Sequence, residues 1–339
     1  MPTPTPLAAR PPLPTVHILY ENPDWLPPLE RALTAEGFPY ELHHVWRGII
    51  DPRKEPAPGI WWNRMSPSSH TRGHDESVGL AREVLAWLES WGRWVLNGSH
   101  ALELEVSKLR QELAFRRYGI RSPRTYLANS TESLLTLAAE FDGPFITKHN
   151  QGGKGLGIHL FESVQQLADH LESEDFDPGP NGQIILQQYI EPKDQRITRV
   201  EIVGGRFLFA MHSSTAGGFQ LCPSDACQLP AAAPALCPLD GDGQEFPDDS
   251  PKFQVADLDA SDPLVRRLIA LSVGEGLDQA GIEFVEDAEG LRWVYDINGT
   301  TNYNSAVERA AGIDGMLETA RFLKRSVVPR QWPGTRAAS

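Results

Sequence analysis

The sequence predicts an α/β fold, passing into α+β order in its later part, on three observations. Short β-prone apolar runs alternate with helical patterns over residues 15–100. A glycine-rich loop separates two apolar runs at 145–161, and two further β-prone runs flank an acidic turn at 281–297. At 339 residues the chain exceeds one ordinary hydrophobic core, so two or three domains are expected.

Residues 15–20 read as a buried strand, 26–36 as a helix, 40–45 and 60–63 as strands, and 64–77 as a polar loop. Val78, Ala81, Val84, Leu85, Leu88 and Trp91 fall at helical spacing and give one apolar face. A short strand and turn follow at 94–98. A helix over 102–118, closed by Gly119, opens a second unit. Strand 124–127 and helix 131–140 come next, with Ser130 or Thr131 as N-cap and Glu132 suited to the helix dipole. Beyond the glycine hairpin stand helix 164–171, an acidic loop at 175–181, a β-prone run at 184–190 and a charged connection at 191–196. Residues 199–203 and 207–211 form a hairpin turning at Gly204-Gly205. Residues 212–255, rich in Pro, Gly, Cys and Asp, are expected to form a loop insertion or lid. Helix 263–280, strands 281–285 and 292–297, and a terminal helix over 304–324 complete the order. The expected division is a disordered tail (1–14), an N-terminal α/β domain (15–100), a central unit with the hairpin (101–190), a C-terminal unit (191–325) and a second tail (326–339).

A formal net charge of −14 argues against a general nucleic-acid partner, which needs a basic face. Neither an apolar run of bilayer-spanning length nor a signal-peptide core is found, so a cytoplasmic protein without a membrane partner is expected. Any bound polyanion must then be held by local cations and metal. Residues 145–157, Phe-Ile-Thr-Lys-His-Asn-Gln-Gly-Gly-Lys-Gly-Leu-Gly, supply Lys148, Lys154 and four glycines. Glycines let backbone N–H groups approach phosphate closely, although the spacing matches neither of the two commonest nucleotide motifs. Glu283 on one late strand faces Asp296 and Asn298, two apart on the next, a set of oxygen donors suited to Mg²⁺. Glu286, Asp287 and Glu289 read as a solvated turn. His212, Cys222, Cys227 and Cys237 match tetrahedral zinc in number but not in regularity of spacing; a thiol-lined lid and buried free thiols stay open beside zinc. His100, His149 and His159 read as structural.

The order of Lys108 on its helix, Lys148, the glycine hairpin, an arginine strand and Asp296-x-Asn298 resembles the ATP-grasp fold with an N-terminal α/β pre-ATP-grasp domain. In particular it is similar to the RimK-like carboxylate–amine ligases, over about residues 60–325. Val95-Leu96-Asn97, Ser107-Lys108-Leu109, Tyr118-Gly119-Ile120, Leu186-Gln187-Gln188-Tyr189-Ile190 and Tyr295-Asp296-Ile297-Asn298 carry the resemblance. It implies that Lys108 and Lys148 contact ATP phosphates and that Gln151, Gly152, Gly153, Lys154 and Gly155 cover them. It further implies that Gln187, Gln188, Tyr189 and Ile190 line the adenine site, with Glu191 near the ribose. Arg199 would steady the transferred phosphoryl group, with Arg196 as a rival. Glu283, Asp296 and Asn298 would hold two Mg²⁺ ions, with Mn²⁺ as a substitute. Arg64, with Arg72 and His70 in the same loop, and Thr300, Asn302 and Asn304 are the candidate substrate contacts.

The implied reaction joins a small carboxylate to an amine through an acyl phosphate, releasing ADP and phosphate. Such chemistry needs positioning and charge neutralisation rather than a protein nucleophile. The alternatives are a non-catalytic ATP-binding regulator and another ATP-grasp phosphoryl-transfer enzyme. A homodimer is the oligomer the resemblance suggests. Three departures stand out: Ser107 where the family often has Asp, Asp296 where it usually has Glu, and Asn298-Gly-Thr-Thr-Asn-Tyr-Asn304 in place of Asn-x-x-Pro-Gly. The last puts a glutamate-adding specificity in doubt.

Overall fold

The computed structural model describes residues 12–153, 155, 157–215 and 252–327. The first sheet is parallel, ordered β2-β1-β3-β4, from β1 (Val16–Tyr20), β2 (Tyr40–His44), β3 (Ile60–Arg64) and β4 (Trp94–Leu96). Helices α1 (Leu26–Glu36) and α2 (Ser77–Ser90) connect them. Side-chain alternation splits the strands between two cores. Val16, Ile18, Ile60 and Trp62 pack with α1, whereas Leu19 and Trp61 pack with Val78, Ala81, Leu85 and Leu88 of α2.

Where the sequence predicts one helix over 102–118, there are two, α3 (Ser99–Glu105) and α4 (Lys108–Arg117). Ser107 breaks the run: its backbone is extended, and its Oγ caps α4 by accepting from Arg110 N at 3.3 Å. The cap sets Lys108 at the first turn of a new helix rather than in the middle of a long one.

A four-stranded antiparallel sheet follows, ordered β5-β8-β6-β7, from β5 (Thr125–Ala128), β6 (Phe145–His149), β7 (His159–Phe161) and β8 (Ile184–Gln188). Helices α5 (Thr131–Ala138) and α6 (Val164–Leu171) pack on it through Leu134, Ala138 and Leu167. The third sheet, ordered β11-β10-β9-β12-β13, contains β9 (Arg196–Val203), β10 (Arg206–Ser214), β11 (Phe253–Ala256), β12 (Gln279–Glu286) and β13 (Arg292–Asn298). Helix α7 (Pro263–Gly274) and α4 bury Val200, Ile202, Ile282 and Phe284. Alternation then turns Arg199, Glu201 and Glu283 to the opposite face.

Other boundaries also shift. The helix expected over 263–280 stops at Gly274; Gly276 takes a positive φ and Gln279 already pairs with Val203. The terminal helix is two, α8 (Ser305–Ala311) and α9 (Gly315–Val327), because Gly312 ends the first in the left-handed region. The expected 212–255 insertion is strand at both ends, where His212 pairs with Gln254 and Ser213 with Phe253. Leu13 packs against the first core and α9 runs to a buried Val327, so those parts of the expected tails are structured. Cys222, Cys227, Cys237 and Lys154 lie outside the described residues.

Candidate active site

Arg199, Glu283 and Asp296 stand in one cross-strand row, because β9 pairs Arg199 with Glu283 and β13 pairs Asp296 with Glu283. The Arg199 guanidinium donates to Glu201 Oε1 at 2.6 Å, Glu283 Oε1 at 2.8 Å and Thr301 Oγ1 at 2.6 Å. Burial opposes its charge, but Glu201 and Glu283 more than offset that, so its pKa is raised. Burial in turn pushes both carboxylates upward while Arg199 pulls them down, and the net is upward for each. A register shift after Glu283 makes Tyr295 the extra residue of a bulge, and its OH donates to Glu283 Oε2 at 3.1 Å.

Gly281 sits beneath the arginine. A Cβ there would lie 2.3 Å from Arg199 Nη2 and 2.4 Å from Nε. Three partners clamp that guanidinium, so it cannot swing aside without losing bonds. Gly281→Ala is therefore expected to cost about a hundredfold in turnover or more, with the circular-dichroism spectrum unchanged. A fully active variant would show that the clamp is irrelevant to chemistry.

Lys108 Nζ forms an ion pair with Asp296 Oδ1. Asn150 seats this lysine's helix: its carbonyl accepts Lys108 N at 3.1 Å and its Oδ1 accepts Leu109 N at 3.1 Å. Lys148 on β6 is buried and donates to Gln187 Oε1 at 3.0 Å. Desolvation, then the charge of Lys108, drop its pKa from 10.5 to about 8, although Asp296 and Glu283 pull the other way. A buried ammonium facing a second cation is a receptor waiting for anionic charge. Asn298 Nδ2 donates to Gly281 O at 3.4 Å, which leaves its oxygen as the atom suited to a cation. Carboxylates of Glu283 and Asp296 with that amide oxygen make a hard donor set that fits Mg²⁺ bound jointly with phosphate.

The glycine hairpin spans β6 to β7. Gly157 and Gly179 both have positive φ, and a Cβ on either would strike the His149 ring, whose Nε2 lies 3.0 Å from Asp177 O. His149 thus supports the hairpin from below. Gly153 approaches the polar loop of the first domain, where a Cβ would be 3.4 Å from Ser68 Cβ. Gln151 is buried, while Gly152 and Gly155 are half-buried. At the expected adenine segment, Gln187 is taken by Lys148 and by Thr125, to which its Nε2 donates at 2.8 Å. Tyr189 N donates to Pro144 O at 3.0 Å, so that N–H is already used; Gln188 and Tyr189 border a cleft of about 320 Å³. Ile190 is half-buried and Glu191 exposed at the end of this segment. Arg196, the rival to Arg199, is exposed and pairs with Asp194.

The six side chains expected to read the substrate are engaged with protein, His70 through its Nδ1, 3.1 Å from Pro67 O. Arg64, fully buried, donates to Thr301 O at 2.9 Å and Asn302 Oδ1 at 2.6 Å. Arg72 forms an ion pair with the buried Glu21, which His74 also contacts. Thr300 Oγ1 donates to Met65 O at 2.7 Å, and Asn304 caps α8. Together Arg64, Thr300 and Asn302 lock the segment after β13 onto the first domain. The reason is desolvation: polar groups buried between the first and third sheets are costly unless they find partners there.

Three residues of the candidate site, Glu201, Thr301 and Glu105, escape sequence reading, and a fourth, Asn97, is visible there only as part of a motif. Glu201 and Thr301 hold Arg199. Glu105 accepts Thr300 N at 2.8 Å, and burial lifts its pKa to about 7 despite that bond. Asn97 bridges domains, its Nδ2 donating to Gln279 O and Gly299 O, both at 2.7 Å, while its Oδ1 accepts Gln279 N. The one local hint is the Asn97-Gly98 pair, since Asn tolerates the positive φ that Asn97 adopts.

The model of a RimK-like ATP-grasp domain matches residues 106–221. A probable alpha-L-glutamate ligase of Enterobacter sp. is 25% identical over 249 residues, covering 73% of this chain and 72% of that protein. One of Teredinibacter turnerae is 30% identical over 136 residues, covering 40% of this chain and 44% of that protein. Among solved structures, a RimK domain ATP-grasp protein from Sphaerobacter thermophilus superposes with a TM-score of 0.64 at 16% identity, covering 91% of this chain and 98% of its own. The ATP-grasp ligase PsnB, complexed with a phosphomimetic variant of its minimal precursor, Mg and ADP, superposes at 0.60 and 16% identity, covering 93% and 99%. At these identities the two structures share the fold with this chain.

Proposed function

We propose that this chain, whose residues 106–221 match a RimK-like ATP-grasp domain, is an ATP-dependent ligase that forms C–N bonds, activating an amino acid or small peptide-like acid and passing it to an amine. The observation that carries this reading is the cluster of Lys108, Lys148 and Arg199 around Glu283 and Asp296. In the structure Lys108 pairs with Asp296 and Arg199 with Glu283. ATP brings phosphate for the cations, and the freed carboxylates with Asn298 would hold Mg²⁺; Mn²⁺ would suit the same oxygens. The metal, when bound, neutralises phosphate oxygens and polarises the transferred group.

The acid's carboxylate oxygen attacks the γ-phosphorus, and the bond to the β–γ bridging oxygen breaks to release ADP. The amine nitrogen then attacks the acyl carbon; the carbon–oxygen bond to phosphate breaks and the nitrogen loses a proton. Lys148 and Arg199 keep the anionic phosphoryl group in place through both steps. Contact of Gly153 with the Ser68 loop supports entry of the acid between the hairpin and the first domain. No described helix is long and apolar enough to cross a membrane. A cytoplasmic setting, where ATP is available, suits the reaction.

Purified protein with Mg·ATP is expected to release ADP only when an acid and an amine are both present. Mass spectrometry should then find a product one water lighter than their sum. ATP-dependent thermal stabilisation without turnover on broad pools of amino acids and peptides would favour a regulator.

A further inference from the structure

On the face of the first sheet that carries Trp61, β1 and the edge strand β2 bring together His17, Glu41 and His43. His17 stands opposite Glu41 in register, and His43 lies two residues further along the same face of β2. His17 Nδ1 is 3.0 Å from His43 Nε2 and 3.3 Å from Glu41 Oε2, and that oxygen is 3.8 Å from His43 Nε2. Around a tetrahedral zinc with nitrogen and oxygen donors at about 2.0–2.1 Å, neighbouring donors stand roughly 3.3 Å apart. The three edges scatter about that spacing. A histidine–histidine hydrogen bond and carboxylate–imidazole contacts account for the edges one at a time, whereas one ion accounts for all three together.

The surroundings orient His17 as a ligand. Its Nε2 lies 3.3 Å from Pro58 O, so N–H donation there leaves the Nδ1 lone pair facing the triangle. Trp61 stacks on the His17 ring with centroids 4.4 Å apart and leans on His43 at 5.0 Å. Gly59 makes room: a Cβ there would fall 2.4 Å from Thr15 O and 3.1 Å from the His17 ring. Among the described residues this is the one group of three His, Cys, Asp or Glu side chains with donor atoms all within 4.8 Å. His17 lies near the start of β1, towards the end opposite Arg64, which pairs with Tyr20.

We propose that His17, Glu41 and His43 bind a divalent transition-metal ion of the zinc type, a clip that fastens β2 to β1 and is separate from the nucleotide's Mg²⁺. Two imidazoles with one carboxylate favour zinc or cobalt over Mg²⁺. Solvent supplies the fourth ligand, since the Glu41 side chain is 61% exposed and that of His43 36%.

Full-length protein, stripped with chelator and then equilibrated with zinc chloride, is expected to retain one equivalent after desalting and to melt at a higher temperature. With cobalt chloride it should show visible d–d absorption of a tetrahedral site without a thiolate charge-transfer band. His43→Ala and Glu41→Gln should each weaken retention at least tenfold, whereas Asp296→Asn and Cys222→Ser should not. Glu41→Gln keeps the test decisive if His43→Ala folds poorly, because it preserves shape at an exposed position. Absence of retained metal in folded wild type, a thiolate band, or full retention in Glu41→Gln would each overturn the site.

Discussion

Lys148→Met is expected to lose about a hundredfold or more in kcat/KM while making the nucleotide-free protein harder to unfold. Both effects come from one buried ammonium. Below pH 8 the folded protein holds this charge in a site that desolvation and Lys108 make unfavourable. A pKa lowered from 10.5 to about 8 corresponds to roughly 3 kcal/mol of destabilisation. Met removes that penalty but strands the Gln187 acceptor, at a cost of about 1 kcal/mol. The net gain is about 2 kcal/mol at pH 7. A basic group with a lowered folded pKa destabilises fully below that value, and the loss is recovered as pH rises from about 8 towards 10.5. Wild-type stability should therefore gain across that window through this group, and the Met variant should lack the gain. Urea midpoints at pH 7 and pH 10 would settle it; a variant less stable than wild type at pH 7 would mean the lysine is not strained. ATP should reverse the order, since its phosphate compensates the wild-type ammonium and gains nothing from Met.

Arg199→Ala should fail on both counts. Turnover is expected to fall by about a hundredfold or more, because the group that steadies the phosphoryl is gone. Stability should drop by about 3–5 kcal/mol, since Glu201 and Glu283 are left buried without their cation. Burial already raises both carboxylate pKa values in wild type, and removing Arg199 removes the main opposing influence. An acid with a raised folded pKa destabilises above its unfolded value, and lowering the pH relieves that as it takes up a proton. The variant should thus regain part of its deficit on acidification from pH 7 to pH 5. Chemical unfolding at both pH values is the measurement; a deficit independent of pH would place the loss in packing rather than in charge.

Much of the site was legible because its signals are local. The glycine hairpin declares itself by composition, and Asp296 and Asn298 share a face through strand alternation alone. Lys108 was legible as a motif but not as a helix start, since the Ser107 cap breaks an otherwise helical pattern. The protein partners of the candidate substrate contacts were not legible, for a different reason. Arg64, Thr300 and Asn302 look like free polar groups in sequence, yet across more than two hundred residues Arg64 bonds Asn302 and Thr300 bonds the Met65 carbonyl.

Local periodicity, turn residues and motif order, all set by neighbours in the chain, determined the α/β class, the glycine hairpin and the shared face of Asp296 and Asn298. Only the tertiary structure decided which charge answers which. Arg199 meets Glu283, and His17 meets Glu41, because particular strands stand side by side in a particular register. Strand pairing is chosen by burial of whole faces, a property of the assembled sheet that no short window of sequence contains.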